Sequence, residues 1–293
     1  MRLGILEFSD DEFANNLKSR LQDLNPEFIR PAEVGVPTNW GFRAIVDRIS
    51  FQNPFLREAV KNMSLHGTYV INNPFSSDSL NKIVDLNICS MMNLPHPKTM
   101  ALPLVDGDEE LTSAPHLQQI AETVGLPCIV KPYNGFAWTN VFTANTLAEL
   151  ENLYEAMKEQ HILLVQERID YQDYYKAFCI GKEVLFIKYI PKKNSWDYIY
   201  SDLKPIEGIR DRLEKWTVKL NTALDLDLNA VEWAIDRHGK PFVIDAFNEV
   251  PEITRAIPDS YYSWILDKLS NLVREKFHSD ERNRTVFRTS PRI

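Results

Sequence analysis

Apolar and polar positions in the first 95 residues predict strands that alternate with helices. Runs of apolar residues predict buried strands over 3–8, 42–46 and 68–71. Between them, apolar residues recur at helical spacing, and Asp10 or Asp11 can cap the first helix. The helical stripes are Phe13, Leu17, Leu21 and Leu24, and then Leu56, Val60 and Met63. This alternation predicts a small α/β domain with a parallel sheet.

The rest of the chain predicts an α+β arrangement. An amphipathic helix ends before the proline-containing segment 94–97, and Thr146 with Glu149 forms a capping box before another helix. The first of these helices has its apolar face at Leu80, Ile83, Val84, Ile88, Met91 and Met92. Further strands are predicted over 127–132 and 162–166, hairpins over 174–190 and around 238–239, and helices near 117–124, 209–223 and 261–277.

The predicted fold class is therefore α/β followed by α+β. The corresponding domains are 1–95, 96–165 and 166–278, with a basic tail over 279–293.

Composition and charge narrow the class of protein. Of the 293 residues, 44% are apolar and 25% are charged, which excludes wholesale disorder. The net charge of −8 argues against a nucleic-acid binder, because phosphate neutralisation supplies most of that affinity. The longest apolar runs, such as 162–165, fall far short of the ~20 residues that span a bilayer, so we expect no membrane partner.

The first residues and the cysteines predict a cytoplasmic protein. An acid follows the first apolar run at Glu7, so we expect no signal peptide. Cys89, Cys128 and Cys179 lie in apolar surroundings without metal-ligand spacing, which is typical of reduced core thiols. The basic tail is expected to be a solvated terminus. Its arginines are Arg282, Arg284, Arg288 and Arg292.

The hairpin near the C-terminus brings two carboxylates together. If 238–239 is a two-residue turn, Arg237 pairs with Lys240. Counting outward from that pair places Glu232 directly opposite Asp245. Directly opposed residues have β-carbons ~4.5–5.5 Å apart, and like charges at that position are destabilising.

Three explanations of this carboxylate pair are compatible with the spacing. The two groups share a proton, or they hold a divalent cation, or that end of the hairpin lies in water, where the repulsion is mild. Asn248 and Glu249 follow directly and would add oxygen ligands suited to magnesium.

Three lysines have two interpretations each. Lys131 ends a very apolar strand, so it either extends out to solvent or presents its ammonium to a phosphate. Lys82 is either a solvated helix residue or a second phosphate ligand. Lys176 lies among aromatic and apolar neighbours, which fits anion binding or an exposed sheet face. The segment 165–169 is either the end of a strand or a linker whose backbone pairs with a planar base.

Seven short segments follow one another in a recognisable order. They are Ser79-Leu-Asn-Lys-Ile83, Pro95-His-Pro-Lys-Thr99, Gly125-Leu-Pro-Cys-Ile-Val-Lys-Pro132, Leu164-Val-Gln-Glu-Arg-Ile169, Tyr175-Lys-Ala-Phe-Cys-Ile-Gly181, Asn229-Ala-Val-Glu-Trp-Ala-Ile235 and Val243-Ile-Asp-Ala-Phe-Asn-Glu-Val-Pro251. The series resembles the ATP-grasp ligases, and is most similar to the RimK-type glutamate ligases and their glutathione-synthetase relatives. The resemblance runs from the first strand to Pro251. The histidines, by contrast, show no spacing typical of metal or nucleophilic hydrolases.

The resemblance implies an ATP-grasp fold, in which an N-terminal α/β (pre-ATP-grasp) domain precedes two α+β subdomains that clasp the nucleotide. It implies ATP and magnesium as cofactors. The implied reaction joins a carboxylate to an amine, or to a thiol, through an acyl phosphate and releases ADP and phosphate. The implied partners are small-molecule carboxylate and amine substrates, such as an amino acid or peptide, and a homodimer is common in this superfamily.

The resemblance also implies roles for particular residues. Lys82 and Lys131 match the two nucleotide lysines, while Gln166, Glu167 and Ile169 match the hinge beside adenine. The ribose position falls on Asp173 or Asp170. Lys176 matches a catalytic arginine that faces the phosphate and the acyl-phosphate transition state. Glu232, Asp245 and Asn248 match the magnesium ligands.

The chain also departs from the family pattern. Asn81 replaces an acid before Lys82, and the phosphate loop over 133–141 contains one glycine. The family's Glu-x-Asn is one residue longer here, at 245–248, so a bulge or an altered metal shell is expected. A second family arginine has no match. Its candidate replacements are Lys188, Lys192 and Lys193.

Two alternatives to a ligase remain open on the sequence alone. One is an ATP-grasp kinase that phosphorylates a hydroxyl, which a cluster of cations around the acceptor would favour. The other is a nucleotide-binding regulatory module without turnover, which the glycine-poor loop would favour. Segments 192–197 and 43–55 are the expected acceptor side.

Overall fold

The computed structural model describes residues 2–35, 40–105, 113–135, 139–192, 195–199 and 203–285. The strands are β1 (Arg2–Leu6), β2 (Pro26–Phe28), β3 (Phe42–Asp47), β4 (Tyr69–Ile71), β5 (Thr99–Leu102), β6 (Cys128–Pro132), β7 (Phe142–Ala144), β8 (Leu163–Glu167), β9 (Tyr171–Ile180), β10 (Glu183–Lys192), β11 (Ser195–Ile199), β12 (Leu228–Asp236) and β13 (Pro241–Asp245). The helices are α1 (Glu12–Arg20), α2 (Pro54–Leu65), α3 (Pro74–Asp78), α4 (Lys82–Met91), α5 (Leu117–Val124), α6 (Leu147–Met157), α7 (Arg210–Ala223) and α8 (Asp259–His278).

The N-terminal sheet is parallel, with the strand order β2-β1-β3-β4. This confirms the predicted α/β unit, and Asp11 is the cap, because its Oδ1 accepts a hydrogen bond from the Ala14 N–H at 2.7 Å. Strand β2 was not predicted, since three residues that begin with proline give no alternating pattern. The strand order reverses between β1 and β3, so their carboxyl ends meet at the edge where α/β proteins usually bind ligands.

The second sheet is antiparallel, with the order β5-β8-β6-β7, and α5 and α6 cover it. The predicted capping box of α6 is present in part. The Thr146 hydroxyl accepts from the Glu149 N–H at 3.2 Å, whereas the Glu149 carboxylate accepts from the N–H of Asn145, one residue earlier than expected. Strand β8 is the last strand of this sheet along the chain, and it leads directly into the third sheet.

The third sheet is antiparallel, with the order β11-β10-β9-β12-β13. Side chains alternate between its faces. Tyr175 and Ala177 pack beneath α7, while Phe178 on the opposite face packs against α8 and the N-terminal sheet. Lys176 shares the face of Phe178 and lies directly opposite Glu232. The alternation of β9 and β12 therefore places a lysine and a glutamate on the same face as Phe178.

The predicted two-residue turn at 238–239 is wrong. The loop has three residues: the Asp236 N–H donates to the Lys240 carbonyl and the Gly239 N–H donates to the Asp236 carbonyl, both at 3.0 Å. Gly239 has a φ of 75°, which suits the left-handed residue of a three-residue hairpin loop. Arg237 therefore does not pair with Lys240.

A bulge in β13 restores the predicted carboxylate pair. Trp233 pairs with Val243, but the next residue back, Glu232, pairs with Asp245. Ile244 is the additional residue, so the one-residue error of the turn is cancelled before the carboxylates are reached. The bulge expected from the longer 245–248 segment thus lies just before that segment.

The first residues of the basic tail are docked, which corrects the expectation of a solvated terminus. Asn283 is only 5% exposed. Its amide donates to the Val70 carbonyl at 2.8 Å, and its Oδ1 accepts from the Val70 N–H at 2.7 Å and from the Ser64 hydroxyl at 3.0 Å. Asn283 thereby satisfies the open edge of β4, the last strand of the N-terminal sheet. Arg288 and Arg292 lie outside the described residues.

Two further expectations concern the thiols and the membrane. Cys89, Cys128 and Cys179 are buried and unbonded to one another, as predicted. Among the described helices, none combines the length and apolar composition that crossing a bilayer requires.

We expect Asn283→Ala to lower the free energy of unfolding by about 2 kcal/mol, because it leaves the buried polar groups of Val70 without partners. Chemical denaturation measures the change. The matched control is Asn87→Ala, which removes an exposed amide on α4 and should change the free energy by less than about 0.5 kcal/mol. Equal stability of the two variants would contradict the docking of the tail.

Candidate active site

A cavity of about 730 Å³ lies between the second and third sheets. Most of the residues that the sequence singled out line it together. They are Lys82, Lys131, Gln166, Glu167, Ile169, Lys176, Glu232, Asp245 and Asn248. Strands from two sheets and the start of α4 therefore deliver these side chains to one place, although they are up to 166 positions apart in the chain.

Two predicted residues do not line the cavity. Asp173 and Lys188 pair with each other across β9 and β10, with Oδ1 and Nζ 2.5 Å apart. Of the two candidates for a ribose contact, Asp170 lines the cavity and Asp173 does not. Lys193, a third replacement for the missing arginine, lies outside the described residues, as does the side chain of Lys192.

Lys82 begins α4 and contacts Asp245. Asn81 is the helix cap, since its side chain accepts from the N–H groups of Ile83 and Val84 at 3.1 Å. The amide oxygen of Asn81 thus satisfies two N–H groups at the start of the helix. The Lys82 Nζ lies 3.2 Å from Asp245 Oδ2. Burial works to lower the pKa of Lys82, but the attraction of Asp245 outweighs it and raises the pKa above its usual value.

Lys131 is buried rather than extended to solvent. Its residue is 7% exposed, and its Nζ donates to Gln166 Oε1 at 2.9 Å. The Gln166 amide in turn donates to the Thr99 hydroxyl at 3.0 Å. Burial, reinforced by the neighbouring charge of Lys82, lowers the pKa of Lys131 to about 8. A buried ammonium with a neutral partner is poised to receive an anion.

Lys176 and Glu232 form the second lysine–carboxylate pair. Lys176 is 2% exposed, which excludes the exposed-face interpretation, and its Nζ lies 3.6 Å from Glu232 Oε1. The Tyr174 hydroxyl donates to Glu232 Oε2 at 2.8 Å. Burial, with the charge of Glu232, raises the pKa of Tyr174 and keeps that hydroxyl protonated. Glu232 is therefore held from two sides.

The oxygens of Glu232, Asp245 and Asn248 fit a divalent cation by chemistry. Asp245 Oδ1 is buried and has no hydrogen-bond partner among the described residues. The segment after β13 is fixed by its backbone, because the Asn248 N–H donates to Asn229 Oδ1 at 2.7 Å and its carbonyl accepts from Ala230 at 3.0 Å. Within the described part of the chain, no three acidic, histidine or cysteine residues form a ready-made metal cluster. Two carboxylates and an amide are oxygen ligands suited to magnesium.

The predicted hinge consists of the last two residues of β8 and the residues that follow as far as Ile169. It has a polar side and an apolar side. The Glu167 N–H donates to the Lys98 carbonyl at 2.8 Å, and its carboxylate accepts from the Lys98 N–H at 3.0 Å. Glu167 therefore ties the hinge to the start of β5. Ile169 and Ile244 each pack against the cluster of Tyr174, Tyr189 and Ala234, which gives the adjoining part of the cavity an apolar wall. Such a wall suits a flat ring.

The glycine-poor loop is described except for residues 136–138. Gly135 and Thr139 line the cavity on either side of this gap. Because the Lys82 N–H donates to the Tyr133 carbonyl at 3.1 Å, the loop is also joined to the start of α4.

Asp85 was missed by the sequence analysis. It is 5% exposed, and its Oδ1 has no hydrogen-bond partner among the described residues. Burial, followed by the charge of Asp245, raises the pKa of Asp85 to about 8. The predicted apolar face of α4 was rotated too far: Met91 is 83% exposed, whereas Cys89 is fully buried. With the buried face of α4 assigned correctly, the sequence would have shown an acid on that face, three residues after Lys82.

Other lining residues come from the expected acceptor segment 43–55 and from the chain after β13. Phe51 lies in the acceptor segment, and Glu249 and Glu252 follow β13. Arg57 lies 3.9 Å from Glu249. Phe51 and Glu252 were not singled out by the sequence analysis.

No family model matches the chain, and neither does any curated protein sequence. Solved structures match over nearly its whole length. An ATP-grasp ligase, PsnB, in complex with a minimal precursor, Mg and ADP is 16% identical, with a TM-score of 0.66 over 93% of this chain and 98% of that one. The D-alanine–D-alanine ligase of Bacillus anthracis in complex with ATP is 15% identical, with a TM-score of 0.69 over 94% and 97%.

A RimK-domain ATP-grasp protein from Sphaerobacter thermophilus is similar to the same extent. It is 16% identical, with a TM-score of 0.67, and the match covers 95% of this chain and all of that one. At these identities the match establishes the architecture, and it agrees with the order of the sequence segments. The chain has the ATP-grasp fold.

Proposed function

We propose that the protein is an ATP- and magnesium-dependent ligase that joins a carboxylate to an amine, or to a thiol, through an acyl phosphate. The observation that carries this proposal is the convergence of three lysines and two carboxylates on one cavity of the ATP-grasp fold. Phosphoryl transfer relies mostly on positioning and charge stabilisation, and this cavity supplies both signs of charge.

The proposed reaction has two steps. The substrate carboxylate attacks the γ-phosphorus of ATP, the bond from that phosphorus to the bridging oxygen breaks, and ADP leaves. The amine nitrogen then attacks the acyl carbon of the acyl phosphate. The carbon–oxygen bond to the phosphate breaks, phosphate leaves, and the amine proton passes to solvent.

The proposed roles follow the positions around the cavity. Lys82 and Lys131 bind phosphates, and Lys176 faces the transferred phosphoryl group. The hinge residues Gln166, Glu167 and Ile169 border the adenine, with Asp170 near the ribose. The nucleotide would thus lie between the regions 96–165 and 166–278. Magnesium held by Glu232, Asp245 and Asn248 would neutralise phosphate charge.

The structural neighbours support the proposal and suggest two classes of substrate. One is described as a ligase in complex with a precursor peptide and another as a D-alanine–D-alanine ligase, so both peptides and amino acids are acceptable classes. A homodimer and a cytoplasmic location are part of the proposal, the latter because all three cysteines are buried as thiols. A kinase is less well supported. Among the cavity-lining residues to which no nucleotide or metal role is assigned, Glu249 and Glu252 are acidic and one, Arg168, is basic, so these residues do not form a cluster of cations.

We expect the protein to release ADP from magnesium-ATP when it is supplied with pooled carboxylates and amines, and the release to require one acid–amine pair. Lys131→Ala removes a buried phosphate ligand and Glu232→Gln removes a metal ligand, so both should abolish ADP formation. The matched control is Lys215→Ala, which removes an exposed lysine of α7 and should keep full activity.

Different results would contradict the metal assignment and the ligase reaction. Full activity in Glu232→Gln would contradict the metal assignment. Nucleotide binding without ADP release from any pool would exclude the ligase and favour the regulatory module, whereas transfer of phosphate to a hydroxyl compound would favour the kinase.

We expect nucleotide affinity to fall above pH 8. An anionic nucleotide binds the protonated form of Lys131, whose pKa in the free protein is lowered to about 8. Binding at higher pH must therefore take up a proton, and the dissociation constant of ADP should rise roughly tenfold between pH 7.5 and pH 9. Calorimetric titrations across this range measure it. Lys131→Arg, which stays protonated, should flatten the profile. A flat profile in the wild type would contradict the role of Lys131.

A further inference from the structure

Two buried carboxylate oxygens near Lys82 have no hydrogen-bond partner among the described residues. One is Oδ1 of Asp245, whose other oxygen lies 3.2 Å from Lys82 Nζ. The second is Oδ1 of Asp85. Buried carboxylate oxygens are usually satisfied, so each of these calls for an explanation.

Asp85 is placed to act on Lys82. The two residues are three positions apart on α4, and side chains at this spacing are neighbours on a helix. Helix α4 packs against β13, which carries Asp245. Lys82 therefore has Asp85 on its own helix and Asp245 on β13 as neighbours and, in this structure, contacts the one on β13.

When a divalent cation binds to Asp245, Lys82 needs another hydrogen-bond acceptor. If Asp245 binds the cation, its oxygens are no longer available to the ammonium. A lysine whose side chain is only 21% exposed would then lose its partner, which is costly unless another acceptor is near.

We propose that Asp85 is a positioning residue that accepts Lys82 when Asp245 binds a divalent cation, and so couples cation binding to nucleotide binding. This inference rests on the proposed function, since it assumes that magnesium and a nucleotide occupy the cavity. Asp85 does not touch either of them; it acts through Lys82.

The positions of the residues support this role. Lys82, Lys131 and Lys176 line the cavity together with Glu232 and Asp245, whereas Asp85 lies outside the lining, three residues after Lys82 on the same helix. With a cation on Asp245, Asp85 holds Lys82 beside the phosphates of a nucleotide. Nucleotide affinity therefore depends on magnesium.

The test compares ADP binding with and without magnesium in the wild type and in Asp85→Asn. Calorimetry gives both dissociation constants of ADP. The value without magnesium divided by the value with magnesium measures the coupling. We expect this ratio to fall roughly tenfold in Asp85→Asn, since one charge-assisted hydrogen bond contributes about that much. The melting temperature should not fall, because the amide has the same shape as the carboxyl group that it replaces, and that group has a buried oxygen without a hydrogen-bond partner among the described residues.

Asp227→Asn is the matched control. Asp227 is another buried carboxylate, but it bonds to the Tyr69 hydroxyl at 2.9 Å and does not line the cavity. Its substitution should leave the coupling ratio unchanged.

The possible results are distinguishable. An unchanged ratio in Asp85→Asn, with or without a lower melting temperature, would overturn the inference and leave the proposed function intact. A fall of the same size in Asp227→Asn would also overturn it. Failure of the wild type to bind ADP at all would overturn the proposed function, and this inference with it.

Discussion

Two lysine–carboxylate pairs, Lys82 with Asp245 and Lys176 with Glu232, hold the interior of the cavity together. Each joins elements that are distant in the sequence: α4 to β13, and β9 to β12. Removal of one partner of a buried pair typically costs about 3–5 kcal/mol, which applies to Lys176 and Glu232, whose side chains are 3% and 12% exposed. The side chains of Lys82 and Asp245 are 21% and 24% exposed, so their pair contributes less. The packing around the cavity has to keep all four side chains in register. The same four side chains are the ones through which we propose that the nucleotide and its cation bind.

Several local features serve this register. The alternation of β9 and β12 brings Lys176 opposite Glu232, and the bulge at Ile244 brings Asp245 to the same pair. Asn81 caps α4, so that the helix begins at Lys82. Tertiary contacts elsewhere stabilise these elements, since α7 covers one face of the third sheet and α8 joins the other face to the N-terminal sheet.

Much of this arrangement could be predicted, because it follows from local patterns. Helical and strand periodicity predicted most of the elements, and the order of short segments predicted the fold. The short elements β2, β5, β7, β11 and α3 were missed. The pairing of Glu232 with Asp245 was predicted from a turn that is wrong by one residue and was rescued by the bulge at Ile244. Asn283 was not predicted, because its partner Val70 is distant in the sequence. Asp85 was not predicted, because its burial depends on the rotation of α4, which the neighbouring residues do not determine.

Under the proposed function, the two ion pairs belong to the ligand-free state of the protein. When the ligands bind, each lysine leaves its carboxylate for a phosphate, and each carboxylate becomes a cation ligand. Contacts with the nucleotide and magnesium thus replace the contacts between the lysines and the carboxylates. The most direct test is a crystal structure of the protein with ADP and magnesium. The account predicts ADP in the cavity, Lys82 and Lys176 more than hydrogen-bond distance from Asp245 and Glu232, and magnesium on both carboxylates. ADP bound elsewhere, or bound in the cavity with both pairs unbroken, would contradict it.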